Sequence, residues 1–372
     1  MGRVTFPDLR FALALHGQVA GRRDAGFAWS PYSVASALGL VAAGGRGRTR
    51  DELVAALAPD GDLDRLAAAL AAGGALEQAP DAAARLAVAN TLWADLTLPL
   101  SPAYLDVVKS WPGGSARGAD FRGDPDGARR GINADVERGT HGLITDLIEP
   151  GLISRDTGAV VVNALWLRAS WLKPFDEGGT RPQRFRAPGG DVDVPTMRVT
   201  RRLPYVARDG WTVVTVPAGE GVVADVLLPD GDLATAEAGL DADRLEALLS
   251  AASPTEVALE LPRVRVEGQA SLAEPLAQLG VRTLFTPQAD LSGVTGGAER
   301  LAVDAAVHKA VLTLDEAGLE GAAATAVMMT RLASVTAPRR PVPVRVDRPF
   351  LLLVRHRPTG ALYFLARVTD PR

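Results

Sequence analysis

A continuous apolar run at residues 160–167 constrains the fold of this chain more than any other feature. The run is Val-Val-Val-Asn-Ala-Leu-Trp-Leu, and only Asn163 interrupts it. It is too short and too rich in β-branched residues for a typical helix, and such a run indicates a strand buried on both faces. We therefore predict a central strand of a large sheet at this position.

Helical patterns come mainly before this strand, and strand patterns mainly after it. Ser30 and Pro31 open a small, apolar segment that ends at Gly44, as expected of a capped and buried helix. Further helices are predicted around Leu53 and Leu57 and at residues 62–72, 241–250 and 271–279. Further strands are predicted at residues 213–216, 222–228, 257–266, 310–314, 350–354 and 362–368. This order, with a mainly helical first hundred residues, indicates an α+β fold with at least one large sheet.

Charge and cysteine content exclude several classes of function. The 40 Lys and Arg residues against 44 Asp and Glu give a net charge of −4, which leaves no positive excess to bind phosphates or anionic lipid. We therefore expect a protein or small-molecule partner, and neither nucleic acid nor a membrane. Cysteine is absent, which excludes disulfides, thiolate catalysis and Cys-rich zinc sites.

The chain shows no sign of a targeting segment or of a division into parts. The apolar run near its start, about five residues, is too short for a secretory signal. No stretch approaches the roughly 18 apolar residues that a membrane span needs. Localisation therefore stays open between the cytoplasm and secretion. No repeat and no Pro/Ser-rich linker is visible, so we predict one compact domain.

The segment from Asp315 to Pro341 is long, and its residues 318–327 are small and nearly uncharged. Loops of this length are usually functional or disordered, and low charge argues against disorder. In an extended conformation, one face would carry the small or apolar residues and Glu320 would fall on the other. The residues of that first face are Leu319, Gly321, Ala323, Thr325 and Val327. This pattern is typical of a strand that can enter a sheet over a tight core.

Seven motifs, in the right order, resemble those of the serpin family. Residues 307–318, Val-His-Lys-Ala-Val-Leu-Thr-Leu-Asp-Glu-Ala-Gly, resemble the strand that leads into the hinge of the family's reactive loop. Residues 163–171, Asn-Ala-Leu-Trp-Leu-Arg-Ala-Ser-Trp, resemble its Asn-to-Trp signature. The other motifs lie at residues 30–33, 139–142, 227–229, 290–293 and 347–350. The resemblance covers residues 5–370 and implies a single serpin domain.

The resemblance implies an α+β fold with three β-sheets, the largest of them central, and eight or nine helices. It also implies an exposed reactive-centre loop at about residues 316–340 and a monomeric inhibitor of serine proteases. In the family, a protease cleaves this loop, forms a covalent acyl-enzyme and is carried away as the loop inserts into the main sheet. Family spacing places the scissile bond between Leu332 and Ala333, which suits a chymotrypsin-like protease. A rival register places it between Arg331 and Leu332 and suits a trypsin-like protease, so both remain open.

The hinge of this loop must enter the sheet before the acyl ester hydrolyses, and small residues favour that entry. The resemblance assigns the hinge to Glu316, Gly318, Leu319, Gly321, Ala322, Ala323 and Ala324. Leu319 departs from the family pattern, because inhibitory members usually carry Thr or Ser there. This departure keeps an alternative open, in which the chain is a non-inhibitory serpin that acts as a binding, carrier or chaperone-like module.

Five further residues match family positions that control the main sheet. Ser30, Ser33, Asn163 and His308 match a polar cluster, the shutter, beneath the opening of that sheet. Trp171 matches the breach, the position at the top of the sheet where the loop first enters. From the residues alone, the same side chains are equally a helix cap, ordinary buried polar groups that need partners, and a core tryptophan.

No motif supports an enzyme, a metal site or a cofactor. The nearest approach to a G-x-S-x-G nucleophile motif, at residues 113–117, lacks the closing glycine. Single, scattered histidines and no H-E-x-x-H argue against a metal site. The glycine-rich residues 44–49 lack the lysine of a phosphate-binding loop. The histidines are His16, His141, His308 and His356.

Overall fold

A computed structural model describes residues 9–21, 24–58, 60–76, 82–111, 113–297, 301–319 and 340–372. The described helices are α1 (Leu9–Val19), α2 (Pro31–Gly44), α3 (Gly47–Leu57), α4 (Leu63–Gly74), α5 (Pro102–Ser110), α6 (Pro125–Gly139), α7 (Leu233–Ala238), α8 (Ala242–Ala251), α9 (Ala273–Gln278) and α10 (Ser292–Thr295). The described strands are β1 (Phe27–Trp29), β2 (Ala84–Asp95), β3 (Gly114–Ala119), β4 (Ala159–Ser170), β5 (Arg181–Ala187), β6 (Gly190–Arg208), β7 (Trp211–Pro217), β8 (Val222–Pro229), β9 (Ser253–Pro262), β10 (Val264–Ser271), β11 (Ala305–Leu314), β12 (Gly318–Leu319), β13 (Val342–Arg345), β14 (Phe350–His356) and β15 (Leu362–Val368).

Six strands form one sheet, called the main sheet here, in the order β10, β11, β12, β4, β2, β3. The predicted central strand is β4, which pairs antiparallel with β2 from Ala159 to Ala169. Odd-numbered side chains of β4 join the larger apolar core, whereas Val160, Val162 and Ala164 pack in a smaller core with residues of α6. Burial on both faces explains the continuous apolar run, so the prediction for this strand is confirmed.

The other nine strands form a second sheet in the order β1, β15, β14, β8, β7, β6, β9, β13, with β5 paired to β6. Strand β6 is 19 residues long. Its middle part pairs with β9, and its last residues, 205–208, pair with β7. This one continuous strand thus links its neighbours β7 and β9 into a single sheet, whereas the resemblance implies three sheets in the whole molecule. The described residues therefore form two hydrogen-bonded sheets instead of three.

Helix α2 packs against both sheets and positions its first turn beside β4. Ser30 caps the helix, because its hydroxyl oxygen accepts the backbone N–H of Ser33, and Pro31 occupies the first turn as predicted. The helix is buried along almost its whole length. Small residues permit this close packing: a Cβ atom on Gly39 would lie 2.3 Å from the Trp111 side chain.

The α+β class predicted from the sequence is confirmed, and some details differ. Ten α-helices occur in the described ranges, where eight or nine were expected, because α7, α9 and α10 are short segments of at most six residues. The mainly helical first hundred residues also contain β2. The strand predicted at 257–266 is two strands, because the chain passes from the second sheet to the main sheet at Arg263, next to Pro262, which has no N–H to donate. In the part of the chain that is described, no helix is long and apolar enough to cross a membrane.

Candidate functional site

The start of the predicted hinge lies within the main sheet. Gly318 and Leu319 form β12, which is antiparallel to both of its neighbours. Leu319 pairs with Leu314 of β11 and with Ala169 of β4, and Gly318 pairs with Ser170. The side chain of Leu319 is 0% exposed. The chain therefore enters the sheet at Gly318 and Leu319 of the predicted hinge, and we call this end of the main sheet the entry end.

A tight turn at Asp315 leads the chain from β11 into β12. The Asp315 carboxylate accepts the backbone N–H groups of Ala317 at 2.9 Å and Gly318 at 3.1 Å. The backbone N–H of Asp315 donates to the carbonyl oxygen of Gly318 at 3.0 Å. Glycine is required at 318, because a Cβ atom there would lie 2.2 Å from the carbonyl oxygen of Ala169.

Trp171 fixes this turn from the other side. Its indole N–H donates to the carbonyl oxygen of Asp315 at 2.8 Å, and its backbone N–H donates to that of Ala317 at 2.9 Å. The ring is 2% exposed and packs edge-on against Phe175. The family resemblance predicts Trp171 at the top of the main sheet. Its hydrogen bonds join the end of β4 to the turn that starts β12.

Glu316 is buried at the entry end and held by two partners. Nε of Arg263 donates to both carboxylate oxygens, at 3.0 and 2.9 Å, and the Thr180 hydroxyl donates to one of them. Burial by itself would raise the pKa of Glu316, but the hydrogen bonds from Arg263 and Thr180 outweigh it and hold the pKa below its ordinary value. Glu316 is therefore ionised at neutral pH.

A buried polar row crosses the main sheet where β4 and β11 pair directly. These two strands are parallel and paired from Val160 and Ala305 to Ala164 and Lys309. His308 of β11 lies opposite Asn163 of β4, and Asn163 lies opposite Asn90 of β2. None of the three side chains is more than 1% exposed. We call His308, Asn163 and Asn90 the polar row.

Helix α2 is joined to the polar row through His308. The backbone N–H of Ser30 donates to Nε2 of His308 at 3.0 Å, so the ring proton is assigned to Nδ1. Nδ1 then donates to Oδ1 of Asn163 at 2.5 Å. Burial lowers the pKa of His308 to about 3, which more than offsets the opposing effect of its hydrogen bond to Asn163. The imidazole is therefore neutral at physiological pH.

Ser33 completes the connection between the helix and the sheet. The Asn163 amide donates to the Ser33 hydroxyl oxygen at 2.7 Å and to the side-chain oxygen of Asn90. The Ser33 hydroxyl donates to the same Asn90 oxygen at 3.2 Å. Three strands and the first turn of α2 thus share one buried hydrogen-bond network, and removing one member leaves the groups bonded to that member unsatisfied.

Comparison with known proteins agrees with this architecture. The family model described as Serpin (serine protease inhibitor) matches residues 8–371. This chain belongs to the serpin family. An uncharacterised serpin-like protein of Thermococcus kodakarensis is 32% identical over 365 residues, which cover 97% of this chain and 84% of that protein. Leukocyte elastase inhibitor of Bos taurus is 31% identical over 386 residues that cover 100% of both chains. Among solved structures, human thyroxine-binding globulin complexed with thyroxine has a TM-score of 0.86 at 25% identity and covers 98% of both chains.

The described residues of this serpin that the sequence singled out fall into two groups. Trp171, Glu316, Gly318 and Leu319 lie together at the entry end. Ser30, Ser33, Asn163 and His308 lie together around the polar row. The remaining predicted hinge and scissile-bond residues lie outside the described residues: Gly321, Ala322, Ala323, Ala324, Arg331, Leu332 and Ala333.

Three residues of this serpin site were missed by the sequence analysis: Asn90, Arg263 and Thr180. Asn90, together with Thr91, interrupts an apolar part of β2 much as Asn163 interrupts β4, and a search for paired interruptions would have found it. Arg263 and Thr180 lie in connections between strands and carry no local signal. Their role depends on contact with Glu316, which is distant in the sequence.

Proposed function

We propose that this serpin, as a monomer and a single domain of residues 5–370, is a suicide-substrate inhibitor of serine proteases, with chymotrypsin-like enzymes as targets. The protease cleaves the bond after Leu332, with Arg331 as the alternative, and the segment before the cut enters the main sheet between β11 and β4. One observation carries the proposal. Strand β12 already lies at that position and is antiparallel to both neighbours.

In this mechanism the protease carries out the bond cleavage, and the serpin carries out the refolding. The protease serine oxygen attacks the carbonyl carbon of Leu332, the peptide bond breaks, and Ala333 leaves with the new amino group. The ester between serine and Leu332 normally hydrolyses. Insertion of the freed segment pulls the ester, with the protease still attached, against the body of the serpin, and this strain displaces the ester from the other catalytic groups of the protease.

The register of β12 supports the extension of this strand. If the pairing of Gly318 with Ser170 continues, residue 325 comes to lie opposite Asn163. The side chains of residues 321, 323 and 325 then point to the same buried face as Leu319. In the sequence these are Gly, Ala and Thr, all small enough for a packed core. Glu320 falls on the opposite face.

The energy for this step comes from backbone pairing. A strand inserted between two others forms hydrogen bonds on both edges, and each is worth a net of about 0.5–1.5 kcal/mol. An insertion of roughly ten residues gains about 10 kcal/mol, which is comparable with the stability of a whole domain. The cleaved form should therefore be far more resistant to heat than the intact form.

A second candidate function is a non-inhibitory serpin that acts as a binding, carrier or chaperone-like module. The similarity to thyroxine-binding globulin favours it, as does Leu319 at a position where inhibitory members carry Thr or Ser. The burial of Leu319 at 0% exposure removes part of this argument, because the side chain already occupies a place in the core. We therefore favour inhibition.

Incubation with chymotrypsin, elastase and trypsin separates the two functions. An inhibitor gives an adduct that survives denaturing electrophoresis and a cleaved form with a raised melting temperature. A non-inhibitory serpin is cut, forms no adduct and leaves the protease active. Mass spectrometry of the released C-terminal fragment then assigns the cut to Leu332 or Arg331. Absence of an adduct with every protease, together with an unchanged melting temperature after cleavage, would overturn the proposal.

A further inference from the structure

Two arginines lie side by side near the entry end, on the face of the main sheet that also packs against α6. Arg85 of β2 is directly opposite Arg168 of β4. Directly opposed residues have Cβ atoms about 4.5–5.5 Å apart on one face, so like charges in this arrangement repel each other. Both side chains are half-buried. Within the described residues neither guanidinium takes part in an ion pair. Among the described residues, the pair is therefore a local excess of positive charge without a counter-ion.

Trp166 of β4 adjoins this pair and adds a further unsatisfied donor. The guanidinium carbon of Arg85 lies 5.8 Å from the centre of the Trp166 ring, and the ring is 5% exposed. The indole N–H of Trp166 and the Nε–H of Arg85 are both buried, and neither has a hydrogen-bond partner among the residues that the structure describes. Buried donors normally have acceptors, and a missing one is destabilising. An acceptor group placed here is therefore favoured.

The sheet register extends this basic group across the entry end. Arg265 of β10 is exposed and lies opposite Thr313 of β11. Leu319 pairs with Leu314 on one side and Ala169 on the other. The level that follows Leu319 in β12 is therefore flanked by Thr313 and Arg168. Three arginines and one hydroxyl group line this level from edge to edge.

We propose that Arg85 and Arg168, together with Trp166, form a carboxylate-binding site near the entry end, on the face of the main sheet that also packs against α6. A carboxylate accepts several N–H groups at once and matches the planar guanidinium, so one such group relieves the repulsion between the two arginines. The carboxylate has two sources, which are a small carboxylate in solution and the side chain of Glu320. The second source rests on the proposed function, because extension of β12 puts residue 320 opposite Arg168.

The first experiment tests the site with citrate on the intact, uncleaved protein. We expect citrate to raise the melting temperature more than sodium chloride at equal ionic strength, and Arg85→Gln/Arg168→Gln to abolish that excess. The matched control, Arg50→Gln/Arg282→Gln, removes the same charge from two exposed arginines, one in α3 and one after α9. This control should keep the additional rise in melting temperature that citrate gives. In chloride alone, Arg85→Gln/Arg168→Gln should melt no lower than the parent, since repulsion is relieved. An undiminished citrate excess in Arg85→Gln/Arg168→Gln overturns the site.

The second experiment identifies the source of the carboxylate. Synthetic peptides of residues 318–331, with Glu320 or with Gln at that position, are annealed to the parent protein and to Arg85→Gln/Arg168→Gln. If Glu320 is the source, the Gln peptide binds the parent about tenfold more weakly, and the variant does not distinguish the peptides. Equal binding of both peptides to the parent assigns the site to carboxylates in solution. If neither peptide anneals, insertion itself is in question, whereas the citrate experiment still decides the site.

Discussion

Arg263 and Glu316 connect the two sheets of this serpin, since Nε of Arg263 donates to both carboxylate oxygens of Glu316. Arg263 occupies the one-residue connection between β9 of the second sheet and β10 of the main sheet. Glu316 occupies the turn between β11 and β12. The side chain of Glu316 is 5% exposed, whereas that of Arg263 is 48% exposed. Loss of the contact would therefore cost the buried carboxylate more than the solvent-exposed guanidinium.

Substitution Arg263→Ala should lower the free energy of unfolding by about 1–2 kcal/mol at pH 7. The reason is that Glu316 keeps its charge and its burial but loses its charged donor, while solvent around Arg263 limits the effect. Urea denaturation measures the loss. Arg345→Ala is the control, because Arg345 is 72% exposed and its pairing with Glu260 should be worth less than about 1 kcal/mol. Equal losses in the two variants would contradict the role assigned to Arg263.

The pair of Arg263 and Glu316 should stabilise the fold only above acid pH. Glu316 has a lowered pKa in the folded state, so its ionised form stabilises the fold above the unfolded value near 4.5, and this stabilisation disappears as the pH falls through the folded pKa. The difference in unfolding free energy between the parent and Arg263→Ala should therefore shrink steadily below about pH 4. Urea titrations at pH 7, 5 and 3 measure it. A difference that stays constant across this range would exclude the ionised contact.

His308 should make the fold sensitive to mild acid. Its pKa is lowered from 6.5 to about 3, so below pH 6.5 the unfolded chain binds a proton that the folded chain does not. Stability therefore falls as the pH drops from about 6.5 towards 3, by up to about 1.4 kcal/mol per pH unit. His308→Gln should be less stable at pH 7 but show a shallower loss between pH 6.5 and 5, when unfolding is followed by tryptophan fluorescence. His16 and His356, whose pKa values are also lowered by burial, contribute equally to both proteins. Parallel pH profiles would contradict this assignment.

Substitution Gly318→Ala should expel β12 from the main sheet. The added methyl group would lie 2.2 Å from the carbonyl oxygen of Ala169, which belongs to the backbone of β4 and cannot rotate away. The amide of Leu319 should then exchange its hydrogen at least tenfold faster, in line with a loss of one backbone hydrogen bond or more. Gly189→Ala is the control, since no atom lies within 4 Å of a Cβ atom there. Unchanged exchange at Leu319 would show that β12 tolerates the methyl group.

Exchanging residues 320 and 321 should convert the inhibitor into a substrate. The double substitution Glu320→Gly/Gly321→Glu keeps the composition and moves a carboxylate to the face that Leu319 shares with the core, where an unpaired charge is costly. We expect proteases to cut this variant without forming the adduct, as seen by denaturing electrophoresis. Glu320→Gly alone leaves the buried face intact and should still form the adduct. An adduct from the exchanged variant would show that insertion follows another register.

The strands and helices that could be predicted are those whose own residues indicate burial or a helix end. The apolar run around Asn163 indicated burial on both faces, and Ser30 with Pro31 indicated the start of α2. The polar row was predicted only through the family resemblance, and Asn90 was missed, because a single polar residue in a strand does not reveal its cross-strand partner.

The alternation from Leu319 to Val327 predicts a strand that can enter a sheet, but it does not show that entry already begins at Gly318 and Leu319. Two residues are too few to show a period, and leucine at position 319 departs from the family pattern. Pairing with Leu314 and Ala169 decides the matter, and these neighbours come from two strands that are distant in the chain. The link from Arg263 to Glu316 was hidden for a related reason, since residues 257–266 alternate like one strand although the chain changes sheets there.

Because β4 and β11 pair directly over only a short stretch, a lengthening β12 would first fill open positions and only later have to separate paired residues. Direct pairing of these strands extends only as far as Ala164 and Lys309. Residues up to 323 would be added opposite 165–168, at levels where no such pair has to separate, so entry to that depth is readily reversed. Residue 324 is the threshold, because it meets Ala164, and beyond it each step first separates one existing pair. A segment that passes this threshold must also break the hydrogen bond between His308 and Asn163. Because His308 also accepts the backbone N–H of Ser30, the start of helix α2 would respond to how far the strand has advanced.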